Sequence, residues 1–270
     1  MPLAVCATPI GNLDDVTLRV LDELRAAATV LCEDTRHTRR LLERHAIRTS
    51  LLSYHEHNEA KRTAEIVPRL EAGERIALVS DAGMPGISDP GARLITAALD
   101  AGVKVHVLPG PSAVETALVA SGHVAERFLF VGFLPRGARA LEALWEELDA
   151  WPDPVVAFES PQRLPAALRS LAARDPERRI AVCRELTKRF EEVVRGTAAE
   201  VADMFDEPPR GEITVVIGAR PGGPREAVRA EEAVSVVREL VRAGLPRRRA
   251  AELVAGLTGI ARNDLYRRTL

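Results

Sequence analysis

Across residues 1–122, short β-rich runs alternate with stretches of helical periodicity, and that alternation admits few folds. Residues 3–7, 30–32, 50–53, 76–80 and 103–108 read as strands. Helices are predicted near 16–27 and over 35–45, 58–72 and 92–101. In the first of these Val20, Leu21 and Leu24 share a face, with Arg19, Asp22, Glu23 and Arg25 outside. Pro68 should kink the third helix and Gly73 end it. Asp89 reads as the N-cap of the fourth, with Pro90 as its first helical residue. Ser112-Ala-Val-Glu115 reads as a capping box opening a fifth. Strands separated by helices run parallel in one sheet, and such sheets bind ligands at the carboxyl ends of their strands.

After Gly122 the rhythm changes. Strands are predicted over 128–131, 154–158, 180–184, 191–195 and 213–217, and helices over 138–150 and 161–173. Ser160 and Pro161 should open the second of these helices, and Thr197 and Glu200 should cap a further one. Strands close enough to pair as a hairpin make this half mixed α+β. A boundary falls near 118–125, which predicts an α/β domain over 1–120 and a second over 121–220. Residues 221–270 then hold the end of a linker (219–229) and a basic helical tail. In the tail Val234, Val237 and Val241 form one stripe, stopped by Gly244 and Pro246. Beyond it the chain reads helix, Gly-bearing turn, helix, a helix-turn-helix outline with Leu253, Leu257, Ile260 and Leu265 facing inward.

Composition narrows the function classes. With 46% apolar and 28% charged residues the chain is neither disordered nor a disulfide scaffold. Three widely spaced cysteines, Cys6, Cys32 and Cys183, read as reduced core residues. The N-terminus lacks a basic secretory leader, and no apolar run approaches the ~18 residues of a membrane span, so a cytoplasmic location is expected. A net charge of −2 advertises no nucleic acid globally, so any basic surface must be local. Arginine supplies all 37 cations but Lys61, Lys104 and Lys188, so single arginines carry little information.

The residues able to do chemistry gather at predicted strand ends. Ser80-Asp-Ala-Gly-Met-Pro-Gly-Ile-Ser-Asp-Pro-Gly91 is rigid, exposes backbone N–H groups, and offers the Asp81 carboxylate to a ribose or an amine. Thr8-Pro-Ile-Gly-Asn12 and Leu108-Pro-Gly-Pro-Ser-Ala113 repeat the pattern, though plain turns explain them as well. Neither the dinucleotide fingerprint GxGxxG, nor GxSxG, nor a P-loop occurs. Glu33 and Asp34 precede a stretch, Arg36 to Arg48, with five arginines against one glutamate, equally a solvated helix face. His55 and His57 lack a third ligand at metal spacing, so no metal is expected. Lys188, after a strand of the second half, is a candidate for a role, or else a surface ion pair with Glu185 or Glu191.

Taken in order, ATPIGNLDD, CEDTRHTRRLL, SYHEHNE, LVSDAGMPGISDPG, LPGPSAV, FVGFLPR, FESPQRL, CRELTKRFEEVVRG and GEITVVIG resemble the tetrapyrrole methylase superfamily. Within it the chain is similar to the ribosomal RNA small subunit methyltransferase I family, over residues 6–218 and again over the tail, 246–270. The resemblance implies S-adenosylmethionine (AdoMet) bound between two α/β domains, a homodimer, and 2′-O-methylation of a cytidine ribose in the decoding region of small-subunit rRNA. By position, Pro9, Ile10 and Gly11 would line the methionine side, and Asp81, Ala82, Gly83 and Met84 the ribose and amino-acid part. Ser112 and Ala113 would touch the cofactor from the next strand end, and Ser160, Leu186 and Ile213 would close the adenine side.

A ribose 2′-OH is a weak acid, so a base, or a lysine easing its ionisation, would help. Lys188, Glu185 and Asp34 are the candidates, in that order. Arg36, Arg39 and Arg40 at one place, and Arg247, Arg248, Arg249, Arg267 and Arg268 at another, could hold phosphates of rRNA or of the 30S subunit. Two rivals stand. A tetrapyrrole-biosynthesis methylase would have no use for the basic tail, and a non-catalytic rRNA-binding assembly factor would need no AdoMet loop.

Overall fold

The computed structural model describes residues 2–220, 224–258 and 260–269. A first sheet grows by strand–helix alternation through β1 (Leu3–Cys6), α1 (Leu18–Ala26), β2 (Thr29–Cys32), α2 (Thr35–Arg44), β3 (Ser50–Ser53), α3 (Glu59–Glu71), β4 (Ile76–Leu78), α4 (Ala92–Asp100) and β5 (Val105–Leu108). Its order is β3-β2-β4-β1-β5, and every pair is parallel. Alternating side chains feed two cores, one on each face. Ala4, Val30 and Ala77 pack with Leu24 of α1 and Leu41 of α2, while Leu3, Leu31 and Ile76 pack with Ile66 of α3 and Leu94 of α4. Each such fully buried leucine or isoleucine contributes about 1.5–3 kcal/mol.

α5 (Ala113–Ser121) follows, and then the second half: β6 (Leu129–Phe133), α6 (Ala138–Asp149), β7 (Val155–Glu159), α7 (Leu164–Arg174), β8 (Arg179–Arg184), β9 (Glu192–Thr197), α8 (Ala198–Met204) and β10 (Ile213–Ile217). The second sheet runs β6-β7-β10-β8-β9, with β6 and β7 parallel and the remaining pairs antiparallel. α6, α7 and α8 cover one face through Trp145, Leu168 and Val201. The other face is covered by α5, whose Val114, Ala117 and Leu118 pack on Val156, Ala181 and Val216. One helix thus leaves the first sheet's last strand and caps the second sheet, holding the two strand layers together.

Several local predictions are corrected. Asp89 does not cap α4. Gly91 does, at φ 139°, a conformation that only glycine takes comfortably. Ser112 is the N-cap of α5, but its hydroxyl bonds the Glu115 carboxylate rather than a backbone N–H, so the box is not formed. Residues 161–163 form a turn, and α7 starts behind Arg163 with Pro165 in its first turn, because a proline is tolerated there and not deeper. α3 runs on through Pro68 to Glu71. The Thr197–Glu200 capping box is present as predicted.

The tail comprises α9 (Pro224–Arg242), α10 (Arg247–Thr258) and α11 (Arg262–Arg268). The helix therefore takes over part of the predicted linker, whose residues 221–223 lie outside the described residues, as does Gly259 of the predicted turn. Val234, Val237, Ala250, Ala251, Val254 and Leu265 form a core belonging to these three helices. Leu253 and Leu257 are exposed, against prediction. Small Ala250 and Ala251 supply the inward face and let α9 approach closely. No described helix is long and apolar enough to cross a membrane. Among the described residues no group of His, Cys, Asp or Glu is placed to hold a metal ion. All three cysteines are buried and free.

Candidate functional site

A cleft of about 430 Å³ opens at the carboxyl ends of the first sheet, with the second sheet as its other wall. Parallel strands end there with their loops, so residues distant in sequence converge. The loop after β1 contributes Ile10, and the loop after β4 contributes Asp81, Ala82, Gly83 and Met84. A two-way backbone pairing of Thr8 with Gly83 fixes these loops to one another. Ser112 and Ala113 come from the start of α5. Ser160, Leu186 and Ile213 face them from the second half. Ten of the twelve residues predicted to hold a cofactor therefore line one cavity, of a size that suits a small ligand.

Pro9 and Gly11 do not line it. Pro9 is buried beneath the loop, and Gly11 lies against residues 186–188, where a Cβ would meet Lys188 Cγ at 2.5 Å and the Leu186 carbonyl oxygen at 2.8 Å. Next to it, the Asn12 N–H donates to Thr187 Oγ1 at 3.0 Å. Gly11 is thus a point of close contact between the first loop and the second half.

The catalytic candidates sit beside the cleft rather than in its wall. Lys188 Nζ donates to Glu185 Oε1 at 2.8 Å and reaches Glu212 Oε2 at 3.0 Å. Burial works against the Lys188 charge, but the two carboxylates outweigh it and hold the ammonium above the ordinary lysine range. Glu185 is held down in turn: burial opposes its charge, while Lys188 and the Glu212 N–H favour it. Lys188 is therefore a fixed cation, not a base. Asp34 caps α2, accepting the Arg36 N–H at 2.8 Å and two guanidinium contacts, which keep its carboxyl well below the usual range. Its own N–H donates to Asp81 Oδ1 at 3.0 Å.

Four carboxyls do line the cleft: Asp81, Asp89, Glu159 and Glu212. Glu159 is bound by the Ser160 N–H at 2.6 Å and by Arg163. Burial nevertheless pushes it up. Asp89 is pushed up to about 7, by burial first and then by Glu33, Asp81 and Glu212. The sequence pattern assigns Asp89 to a helix cap and names neither Glu159 nor Glu212 as a site residue, although both stand in stretches, FESPQRL and GEITVVIG, that carry the resemblance. Phe133 and Phe158, in edge-to-face contact at 5.6 Å, add an aromatic wall that the strand pattern alone could not aim.

The predicted phosphate contacts fall into two groups. On α2 Arg36 is taken by Asp34, whereas Arg39 and Arg40 are exposed and form no ion pair among the described residues. In the tail Arg249 pairs with Glu252, Arg267 with Asp264 and Arg268 with Glu231. Arg248 is exposed, and Arg247 is half-buried with its Nε unpartnered.

Two sheets, a glycine-rich strand-end cleft and a helical tail are the architecture of the tetrapyrrole methylase class. The family Tetrapyrrole (Corrin/Porphyrin) Methylases matches residues 2–202, and the RsmI C-terminal HTH domain matches residues 227–270. The chain is 44% identical over 273 residues to "Ribosomal RNA small subunit methyltransferase I" of Mesorhizobium japonicum, covering 99% of this chain and 91% of that one. It is 40% identical over 279 residues to the protein of that name from Pseudomonas aeruginosa, covering 99% and 96%. The chain belongs to the ribosomal RNA small subunit methyltransferase I family. Among solved structures, diphthine synthase superposes with a TM-score of 0.61 at 14% identity, covering 80% of this chain and 89% of that one. Uroporphyrin-III-C-methyltransferase of Thermus thermophilus superposes with a TM-score of 0.56 at 20% identity, covering 80% and 93%. Both share the fold.

Proposed function

We propose that this protein transfers a methyl group from AdoMet to the ribose 2′-oxygen of a cytidine in the decoding region of small-subunit rRNA. The observation that carries the reading is the convergence of ten predicted cofactor residues on one cleft in a chain that also bears a separate basic three-helix tail. The relatives' name supports the rRNA substrate, and the tail argues against a small porphyrinoid, which offers no phosphates to bind. The division into 1–120, 121–220 and 221–270 belongs to the same reading, with α5 lending its face to the second unit. So does a homodimer, which light scattering tests directly.

AdoMet, when bound, supplies a methyl group on a positively charged sulfur, so alignment with the acceptor oxygen is the main requirement. Ile10 and Gly83 bring the two main loops of the first sheet to the cleft, and Leu186 and Ile213 exclude water from the opposite side. Asp81 has Oδ1 occupied by the Asp34 N–H, and its Oδ2 takes no hydrogen bond among the described residues, which leaves it for a ligand hydroxyl or ammonium. Lys188 fixes Glu212 at the cleft edge and contributes positive charge there. Of the arginines predicted to meet phosphates, Arg39, Arg40 and Arg248 are exposed and form no ion pair among the described residues.

Labelled AdoMet incubated with small ribosomal subunits or with a porphyrinoid precursor tests the reading. Label recovered in a nuclease-resistant dinucleotide supports ribose methylation. Label in the porphyrinoid overturns it, and label in neither leaves the assembly-factor reading in its place.

A further inference from the structure

Strand β6 carries one residue too many for its partner. Phe130 lies opposite Val156 and Phe133 opposite Phe158, three steps on one strand against two on the other. Such a bulge is rare in a parallel pair. It falls at Gly132, whose φ of 69° is a left-handed value that glycine adopts freely. In an unbroken strand Phe133 would share the face of Val131, which packs on the side of α6, α7 and α8. The bulge turns it to the other face, beside Phe158 at 5.6 Å and into the cleft wall. Bulges beside a site re-aim a side chain in this way, here leaving a large apolar ring 56% exposed.

The pairing registers place Phe133 in a row that crosses the second sheet. Phe133 on β6, Phe158 on β7, Thr214 on β10 and Cys183 on β8 lie side by side, and all four line the cleft. With strands about 4.8 Å apart, the row is about 14 Å long. Leu186 and Ile213, the proposed adenine cover, stand at its β8–β10 end. Adenine held there leaves Phe133 two strands away, about 10 Å, on the edge strand of the sheet. The first half reaches the same end of the row. A Cβ on Gly132 would lie 3.6 Å from Ser88 Oγ, and Ile87 of that loop, 52% exposed, also lines the cleft.

We infer that Phe133 is the platform on which the base of the acceptor nucleotide stacks. The inference rests on the reading of the cleft as the site of methyl transfer to rRNA. Single-stranded RNA is held by bases splayed out and stacked on aromatic rings. The acceptor ribose must come alongside the donor's methyl group, so its base needs a seat in the same cleft but clear of the adenine. Phe133 gives that seat, with Ile87 on the loop across from it. The position on a sheet edge lets one base enter while the rest of the RNA stays outside. Stacking tolerates any base, so Phe133 supplies hold and aim, and the choice of nucleotide falls to other groups.

Phe133→Leu keeps an apolar side chain and removes the ring face, and Phe133→Tyr restores a ring. Transfer of label from AdoMet to small ribosomal subunits gives the KM for the subunits, and calorimetry gives AdoMet affinity. In Phe133→Leu that KM should rise about five- to a hundred-and-fiftyfold, the worth of one stacked base, with AdoMet affinity unchanged. Phe133→Tyr should recover most of the loss. An unchanged KM in Phe133→Leu, or an equal loss in both variants, overturns the platform. A parallel loss of AdoMet affinity also overturns it, because the ring then serves the adenine. Phe133→Trp adds a readout independent of turnover, and it decides alone should Phe133→Leu not fold. Its added fluorescence, above that of Trp145 and Trp151, should be quenched by the subunits and not by AdoMet. Quenching by AdoMet alone, or none by the subunits, overturns the proposal. A wild-type protein that leaves the subunits unlabelled fails the rRNA reading and the platform with it. Normal wild-type labelling with an unchanged KM in Phe133→Leu fails the platform alone.

Discussion

The backbone N–H of Asp34, at the end of one strand of the parallel sheet, donates to Asp81 Oδ1, at the end of its neighbour, 3.0 Å away. The carboxylate proposed to hold the cofactor is thus also the tie between two loops. Asp81→Ala should lose the ligand bond and the tie together. A hydrogen bond to a charged group is worth about 1.5–3 kcal/mol, so AdoMet affinity should fall about ten- to a hundredfold. Asp81→Asn retains an acceptor for Asp34 and should fall less. Calorimetry on both variants separates the parts, and unchanged affinity in a folded Asp81→Ala protein removes Asp81 from the site.

Gly11→Ala should destabilise the protein and loosen the cleft. The added Cβ would meet Lys188 Cγ at 2.5 Å, Thr187 Oγ1 at 2.7 Å and the Leu186 carbonyl oxygen at 2.8 Å. The lysine chain can swing away, but the carbonyl belongs to a loop in which Glu185 and Thr187 already hold φ values of 52° and 65°. Overpacking of this kind costs about 1–3 kcal/mol. The urea midpoint should drop at constant slope, and a midpoint equal to wild type would show that the loop yields freely.

Strand–helix alternation and the glycine-bearing strand ends are enough to place the parallel sheet and the strand-end loops on its side of the cleft, because both follow from local pattern, whereas Ser160, Leu186 and Ile213 come from the family resemblance. What sequence could not show is which element each residue serves after folding. α5 follows the first sheet in the chain yet packs on the second, since its apolar face fits Val156 and Val216. Asp89 stands before a proline and a helix, the usual place of a cap, but Gly91 takes the cap and Asp89 turns into the cleft. Spacing alone could offer Lys188 only its near neighbours as partners. Glu212, which also holds it, is 24 residues further on and enters only through the pairing of β10 with β8.

Lys188→Ala should slow methyl transfer more than it weakens either ligand. The substitution leaves Glu185 and Glu212 without their shared cation, so Glu185 titrates higher and Glu212 loses its anchor at the cleft edge. Misplacement of a positioned group costs up to about a hundredfold in rate. Single-turnover kinetics beside AdoMet and rRNA titrations check this. A normal single-turnover rate with weakened rRNA binding makes Lys188 a phosphate contact instead.

Asp89→Asn should stabilise the fold, and increasingly so as pH rises from about 4 to about 7. Below pH 4 the carboxyl is protonated in both folded and unfolded chains, and the amide gains nothing. Between the two values the folded chain keeps a proton that the unfolded chain has lost, so wild-type stability falls with rising pH. Above pH 7 the folded carboxylate is ionised among Glu33, Asp81 and Glu212, and the full difference persists. Urea midpoints of the two proteins at pH 4.5, 6 and 8 would test this, and a constant gap contradicts it.

Removal of the chain from residue 224 onward should leave AdoMet binding intact and weaken rRNA binding. The three tail helices bury Val234, Val237, Val254 and Leu265 among themselves, so both sheets keep their own cores after the cut. From Pro246 onward the deleted segment carries six arginines against Glu252 and Asp264, a charge of +4 in a chain of −2. Three of those arginines are engaged in ion pairs within the tail, Arg249, Arg267 and Arg268, at exposed sites where such pairs exchange readily for phosphates. For single-stranded RNA, every phosphate that the truncated protein no longer neutralises should flatten the log–log salt dependence by about 0.7. Affinity measured across a salt series, together with the oligomeric state, decides the matter. A truncated protein that turns monomeric yet keeps the original salt slope would assign the tail to the subunit interface.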